Sequence, residues 1–430
     1  MICVVGASDD DEFSLWQRGL LNSVPHPSKS QEAAPIYAPI LKHRGGDAGC
    51  DPSSGVCSLP ARSLEQLKAE LGNRFSEALA LNEEEHKRDC AKSCELFYCG
   101  EGKRASSGRE EIEYNAYAFG SVPPEDFADQ FDFPMDLIKV TATKTPLLTS
   151  MEASRVVKVA EDEGVLDGEY DSGKYKLGGD WLDNLPKTRE WFNELCANTV
   201  FPELARLFPD VISSPAVLRA HSVALLRYNS SHPRTDVHVD NGVFAITLAL
   251  SPSESYEGGG TFFEHLGRQP LEMDVGGATF RPGSVRHGGA AVKAGERYIL
   301  GAFMLIEDRV EHVRRLKNRG AERRRAGDEE GARELFHFAL AINPRCVTCL
   351  KDLAELETNA GNLNEASRHL MSALDLTPDD SDALFSLGVL RTKQNRTSDA
   401  LESYRKAATL CPDDHEVSPS HTAGGAFAGI

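Results

Sequence analysis

Residues 234–251, RTDVHVDNGVFAITLALS, decide the fold when read with YEGGGTFF at 256–263 and GGATFRPGSVRHGGAAVKAGERYILGAF at 276–303. His238 and Asp240 sit two apart at the mouth of a strand, where a period of 2 points both side chains to one face. His287 follows 49 residues later, after further strand-like runs. That spacing suits a return across a β-barrel or sandwich, in which distant strands become neighbours. Two histidines and one carboxylate can grip one face of a ferrous ion and leave the opposite face open. Arg297 then opens the strand RYILGAFML. Its guanidinium can hold a carboxylate through two parallel hydrogen bonds, which a point-charge amine cannot do.

The segment 217–306 resembles the iron(II)/2-oxoglutarate dioxygenases, specifically their prolyl and lysyl hydroxylase branch. The likeness rests on H-x-D, on YEGGGTFF, on the P-G-x-x-x-H step into His287, and on the G-x-R-Y-I strand at 295–299. Lysyl hydroxylases carry similar EGGG and GxRYI text. The resemblance implies a double-stranded β-helix, the jelly-roll barrel whose open end holds the metal. It implies that His238, Asp240 and His287 ligate Fe(II) and that Arg297 binds the distal carboxylate of 2-oxoglutarate. Tyr228 matches a position near the cosubstrate, and Thr247 one where an inward polar residue is common. The implied reaction is O₂-dependent hydroxylation of a prolyl or lysyl residue of a protein. 2-Oxoglutarate is converted to succinate and CO₂, and ascorbate supports turnover. A carboxylate at 240 disfavours halogenation, for which related enzymes keep a small residue there.

Around this segment the pattern predicts strands at 217–228, 243–250, 260–263, 278–281 and 297–307, with an edge strand at 137–143. Thr149 and Glu152 form a capping box opening a helix through VVKVAEDEG, which Gly164 closes. A second helix is expected from Thr188 to Phe208, with Trp191, Phe192, Phe201 and Leu204 as its core stripe. The oxygenase domain is placed at 134–308. Residues 1–133 form an N-terminal region: 1 to about 60 lack periodicity, 64–96 read as a charged helix, and 100–134 as a polar connection.

The last hundred residues change period. Columns recur every 34 residues: Gly320, Ala354 and Gly388; Phe336, Leu370 and Tyr404; Ala332, Ala366 and Ala400; Pro344, Pro378 and Pro412. Such a repeat resembles three tetratricopeptide units, placed at 313–414, before a disordered tail at 415–430. Small residues let paired helices approach, and proline stops each second helix. Asn395 replaces the glycine expected between helices. The whole chain is thus expected to be an α+β multidomain protein, a jelly-roll followed by an all-α array. Arrays of this kind bind peptides or proteins in a concave groove, so the repeats are expected to recruit a protein substrate or partner.

Composition narrows the alternatives. A formal charge of −19 argues against a nucleic-acid footprint. The basic run 314–325, RRLKNRGAERRR, reads as a solvated helix face. No stretch approaches the roughly 18–20 apolar residues of a membrane helix, and MICVVGASDDDEF lacks the basic start of a secretory signal, so a cytoplasmic or nuclear location is expected. The ten cysteines read as free thiols: Cys50 with Cys57, the group Cys90, Cys94 and Cys99, and the pair Cys346 and Cys349 lack the paired spacing of a zinc site. Two competing functions stay open, an interaction protein with a vestigial oxygenase domain and a dioxygenase acting on a small molecule.

Overall fold

The structure, a computed structural model, describes residues 63–100, 112–118, 139–171, 176–209, 211–263, 266–271 and 273–410. The expected unstructured start, most of the connection at 100–134, Cys50, Cys57, Pro412 and the tail at 415–430 lie outside them. The chain divides into two compact units. One holds residues up to Ala80 and from His312 onward; the other spans Leu81–Glu311. Among the described residues no helix is long and apolar enough to cross a membrane.

The helix α1 (Leu64–Leu96) contributes to both units and is kinked at Gly72, where φ is +77°. In the Leu81–Glu311 unit its second half precedes β1 (Tyr114–Ala118), β2 (Lys139–Thr143), α2 (Ser150–Asp162), β3 (Glu169–Asp171), β4 (Lys176–Trp181), α3 (Pro186–Leu195) and α4 (Phe201–Leu207). Strands β5 (Leu218–Tyr228), β6 (Phe244–Ala249), β7 (Tyr256–Gly258), β8 (Thr261–Phe263), β9 (Pro270–Leu271), β10 (Ala278–Pro282), β11 (His287–Gly289), β12 (Val292–Gly295) and β13 (Arg297–Ile306) follow. All pair antiparallel, in an eight-stranded sheet of order β1-β2-β10-β6-β13-β5-β4-β3 and two small sheets, β11-β8-β9 and β12-β7.

Three sequence expectations are corrected here. β2 is not an edge strand, because β1 pairs along its outer side. β1 itself lies inside the stretch read as a polar connection; its five residues, YNAYA, are too short and too mixed to announce a strand. β1 belongs to the Leu81–Glu311 unit. The helix expected over 188–208 is interrupted by a π-helical turn at Cys196–Val200, yet Phe192, Phe201 and Leu204 still reach the core.

One face of the large sheet carries that core. Leu218, Ala220, Val223 and Leu225 of β5, Ile246 and Leu248 of β6, and Leu300, Ala302 and Met304 of β13 meet apolar residues of α2, α3 and α4. Each fully buried side chain of this kind adds about 1.5–3 kcal/mol. The inward parity of β5 changes between Ala220 and Val223. A bulge causes it: Ser222 adopts φ +49°, and the register against β13 shifts between Gly301 and Phe303. Downstream of the bulge, Ala224, Leu226 and Tyr228 turn to the other face, where the candidate site lies. The capping box opens α2 as expected, and Gly164 follows its end at φ +101°.

In the other unit six helices form three antiparallel pairs: α5 (His312–Arg325) with α6 (Glu329–Ile342), α7 (Val347–Asn359) with α8 (Leu363–Leu376), and α9 (Ser381–Lys393) with α10 (Thr397–Thr409). The repeating columns are contacts. A Cβ on Gly320 would lie 2.6 Å from the Phe336 ring, and one on Gly388 would lie 2.4 Å from Tyr404. Where the partner is the smaller Leu370, the column can hold Ala354, and both share one buried cluster. Gly327 and Gly361 turn between helices at φ +80° and +81°, and Asn395 does the same at +59°. Asparagine tolerates that region better than other side chains.

Residues 64–80 of α1 pack on the first repeat rather than forming an exposed arm. Leu67, Phe75 and Leu79 join Val313, Leu316 and Phe336 in one cluster, with Phe75 edge-on to Phe338 at 5.2 Å. The basic run is also not a solvated face. Arg314 and Arg315 are buried, Arg319 donates to the Ala78 carbonyl at 2.9 Å, and Arg324 pairs with Asp352 and Glu355. The free-thiol reading fails for four cysteines. Cys94 is bridged to Cys99 and Cys346 to Cys349, with Cα separations of 5.5 and 5.3 Å. Helix ends bring both pairs together, since Cys94 precedes the chain's turn out of α1 and Cys346 caps α7 three residues before Cys349. Cys90 and Cys196 remain free and buried.

In the sheet unit, His86 of α1 is buried with Glu311, its Nδ1 3.0 Å from the carboxylate and its Nε2 3.1 Å from the Ile306 and Glu307 carbonyls. Burial opposes the charge, but Cys90 and Glu311 outweigh it and raise the imidazole to about 10. A folded value above the unfolded one means this stabilisation is complete below pH 6.5 and is lost as pH rises through 10. Replacing His86 by Leu should cost about 3–5 kcal/mol at pH 6, because it takes a charged partner from the buried Glu311 carboxylate. The gap between wild type and variant in denaturant midpoint should narrow between pH 7 and pH 10.

Candidate metal centre

The site forms where the small sheet β11-β8-β9 meets the segment preceding β6. His238 and His287 form an antiparallel bridge, each backbone N–H donating to the other's carbonyl at 2.9 and 3.0 Å. Asp240 N–H donates to the Gly283 carbonyl at 2.8 Å, which ties the carboxylate to the turn that leads into His287. Sequence placed His238 and Asp240 at a strand mouth. The residues lie just outside any strand, and the bridge rather than a regular ladder aligns them.

One ligand atom from each of His238, Asp240 and His287 lies within 4.8 Å of the others. His238 Nε2 is 3.6 Å from Asp240 Oδ1, and His287 Nε2 is 3.6 Å from Asp240 Oδ2. Both rings are fixed in the same way: His238 Nδ1 lies 2.8 Å from the Asp236 carbonyl and His287 Nδ1 2.8 Å from that of Val285. A carbonyl only accepts, so each Nδ1 carries a proton and each Nε2 is the ring nitrogen left facing the triad. Burial first, then the charge of Arg281 and the neighbouring His238, hold His287 well below the usual histidine range. It is therefore neutral and ready to donate a lone pair. Two imidazole nitrogens and a carboxylate converging with an open side fit a divalent first-row metal, and the donor set suits Fe(II).

Arg297 extends from the first position of β13 and is 3% exposed. Its Nη2 donates to Thr261 Oγ1 at 3.3 Å, and its guanidinium stacks 5.3 Å from the Tyr228 ring centre. Its Nη1 is buried with no partner among the described residues. A buried guanidinium nitrogen left without an acceptor costs about 1–3 kcal/mol or more. The glycines of YEGGGTFF make this placement possible. Gly258, Gly259 and Gly260 all have positive φ, and a Cβ on Gly259 would lie 3.0 Å from the Tyr256 ring and 3.1 Å from Arg297 Cδ. Tyr228 is paired with Arg297 across the β5–β13 ladder. Burial raises its phenol above the usual range, with Arg297 opposing, so it stays neutral. Thr247 also lines the cleft, but its hydroxyl accepts from Arg281.

Arg281 is the site residue that sequence reasoning missed. It is 2% exposed and rises from β10, where Thr279 and Arg281 share a face. Its Nη1 donates to Thr247 Oγ1 at 2.9 Å and Thr279 Oγ1 at 3.2 Å, its Nη2 to Asp240 Oδ2 at 2.7 Å and His287 Nε2 at 2.9 Å. Alternation from Ala278 through Pro282 was the available signal, since it places 279 and 281 opposite the core-facing Phe280. Tyr170, Ser222, Phe303, Gly288 and Gly289 complete the cleft wall.

Comparison with known proteins matches residues 323–387 to the tetratricopeptide repeat family. No curated protein sequence matches the chain. Among solved structures, the viral collagen prolyl hydroxylase of Paramecium bursaria Chlorella virus-1, in its 2OG complex, is similar at 16% identity over 38% of this chain and 94% of that one, with a TM-score of 0.30. The second TPR of Spaghetti (RPAP3), bound to an HSP90 peptide, is similar at 20% identity over 23% of this chain and 91% of that one, with a TM-score of 0.22. MamA is similar at 14% identity over 24% and 61%, with a TM-score of 0.23.

The glycine run can be tested alone. Gly259→Ala puts a Cβ into a left-handed backbone and against two side chains, a combined cost of about 1–3 kcal/mol. Calorimetry should show the melting temperature of the sheet unit falling by several degrees.

Proposed function

We propose that the sheet unit is a double-stranded β-helix oxygenase that uses Fe(II) and 2-oxoglutarate to hydroxylate a residue of a protein, which the repeats bind. The observation that carries this reading is the convergence of two imidazole nitrogens and one carboxylate, together with a buried arginine, Arg297, whose Nη1 has no partner among the described residues. His238, Asp240 and His287 would hold the metal. Arg297 would take the distal carboxylate of 2-oxoglutarate through Nη1, supported by Thr261 and by the neutral Tyr228 ring. Bound iron and cosubstrate would supply O₂ activation, with succinate and CO₂ as co-products. The chain's own share is to fix the tautomers, keep His287 neutral, orient the cosubstrate and shield the cleft from water.

Of prolyl and lysyl substrates, the lining favours prolyl. Among the described residues that line the cleft Asp240 is the one acidic side chain, and Arg281 already binds it. A lysyl ammonium would meet a guanidinium and no free carboxylate, whereas Tyr170, Ser222 and Phe303 suit a small uncharged ring. The position of Arg281 favours one second reading, a salt-bridged pocket that holds no metal in a repeat-based interaction protein.

The deciding measurement is O₂-dependent succinate formation by the full chain with Fe(II), 2-oxoglutarate and ascorbate, with fractionated cell extract as substrate source. Asp240→Ala should abolish turnover. Arg297→Met should raise the KM for 2-oxoglutarate at least tenfold, which matches the roughly 1.5–3 kcal/mol of a charge-assisted hydrogen bond. Absence of iron-dependent turnover from folded protein in every fraction would transfer the case to the interaction protein.

A further inference from the structure

His287 Nε2 has one lone pair in the plane of its ring. Nδ1 is committed to the Val285 carbonyl, so that lone pair is the only one His287 can give. Arg281 Nη2 now takes it, at 2.9 Å, while holding Asp240 Oδ2 at 2.7 Å. A nitrogen lone pair cannot serve an N–H donor and a metal ion together. Asp240 differs, because its two oxygens offer about four acceptor positions and can keep the guanidinium while ligating.

We propose that Arg281 is a resident cation that competes with the metal for His287 and sets the affinity of the centre. The inference rests on the metal-centre reading above. Four anchors hold the guanidinium in place, two threonine hydroxyls, Asp240 and His287, with the Phe263 ring 5.7 Å from its carbon. It balances the charge of Asp240, so the two form a closed ion pair. A divalent ion arriving at the triad must turn Arg281 off His287 and then share a buried pocket with its positive charge. Both effects weaken metal binding relative to the same three ligands without Arg281.

The experiment is a Mn²⁺ titration of the full chain, with free Mn²⁺ followed by its electron paramagnetic resonance signal. It compares wild type, Arg281→Met, Arg281→Gln and Asp240→Ala. Both Arg281 variants should bind Mn²⁺ at least tenfold more tightly than wild type, with Arg281→Met the tighter. Mn²⁺ should also raise the melting temperature of either variant more than that of wild type, since a carboxylate without its guanidinium gains most from a metal. Two variants are used so that a folding defect in one leaves the other as the test. Equal or weaker binding in the Arg281 variants, still abolished by Asp240→Ala, would overturn the competition while leaving the metal centre standing. Mn²⁺ binding insensitive to Asp240→Ala in every form would remove the metal-centre reading and this inference with it.

Discussion

Two reciprocal backbone hydrogen bonds between His238 and His287 are the constraint on which the site depends. They bring together residues 49 apart in the chain and put both imidazoles on one side, with ring centres 4.5 Å apart. The same local turn recurs at each histidine, whose Nδ1 faces the carbonyl two residues upstream. Close approach at this point also explains the text after His287. A Cβ on Gly288 would fall 2.5 Å from the Phe262 ring, and one on Gly289 2.9 Å from Tyr228. The pair of glycines lets β11 press against β8 and against the phenol that backs Arg297.

The sequence announced this region because its signals are local and redundant. Apolar runs mark β5, β6 and β13, and glycine runs mark the turns between them. The repeats were legible for a different reason. A column of glycine against Phe336 or Tyr404 must recur if each helix pair is to close, so the geometry writes itself into the 34-residue period.

What stayed hidden depends on contacts that no local pattern encodes. β1, β3 and β4 are short and polar or glycine-bearing, and exist because a neighbouring strand offers unpaired backbone groups. The bulge at Ser222 reverses the facing of half of β5, while the apolar text of 217–228 reads as one strand. The two disulfides needed helix ends to fold back before their spacing meant anything. The arginines of 314–325 read as solvated because charge usually is, yet α1 and the second repeat supply acceptors for several of them. Arg281 escaped because an arginine inside a strand ordinarily faces water.

The charge inventory of the cleft ties these points to chemistry. Among its residues and Arg297 behind them stand two guanidiniums and one carboxylate, all buried, with neutral His287 between. Arg281 cancels Asp240; Arg297 keeps one nitrogen without an acceptor. Burying such a surplus is costly in a medium of low dielectric, and on the proposed reading an anion would offset it. A divalent ion at the triad enlarges the positive excess, and a dicarboxylate would offset it by two charges while giving Arg297 Nη1 its acceptor. A neutral cosubstrate could supply the acceptor but not the charge. On the proposed reading, metal and anion would therefore each bind this cleft better in the presence of the other. That coupling follows from the number of buried charges, whatever path brings the two in.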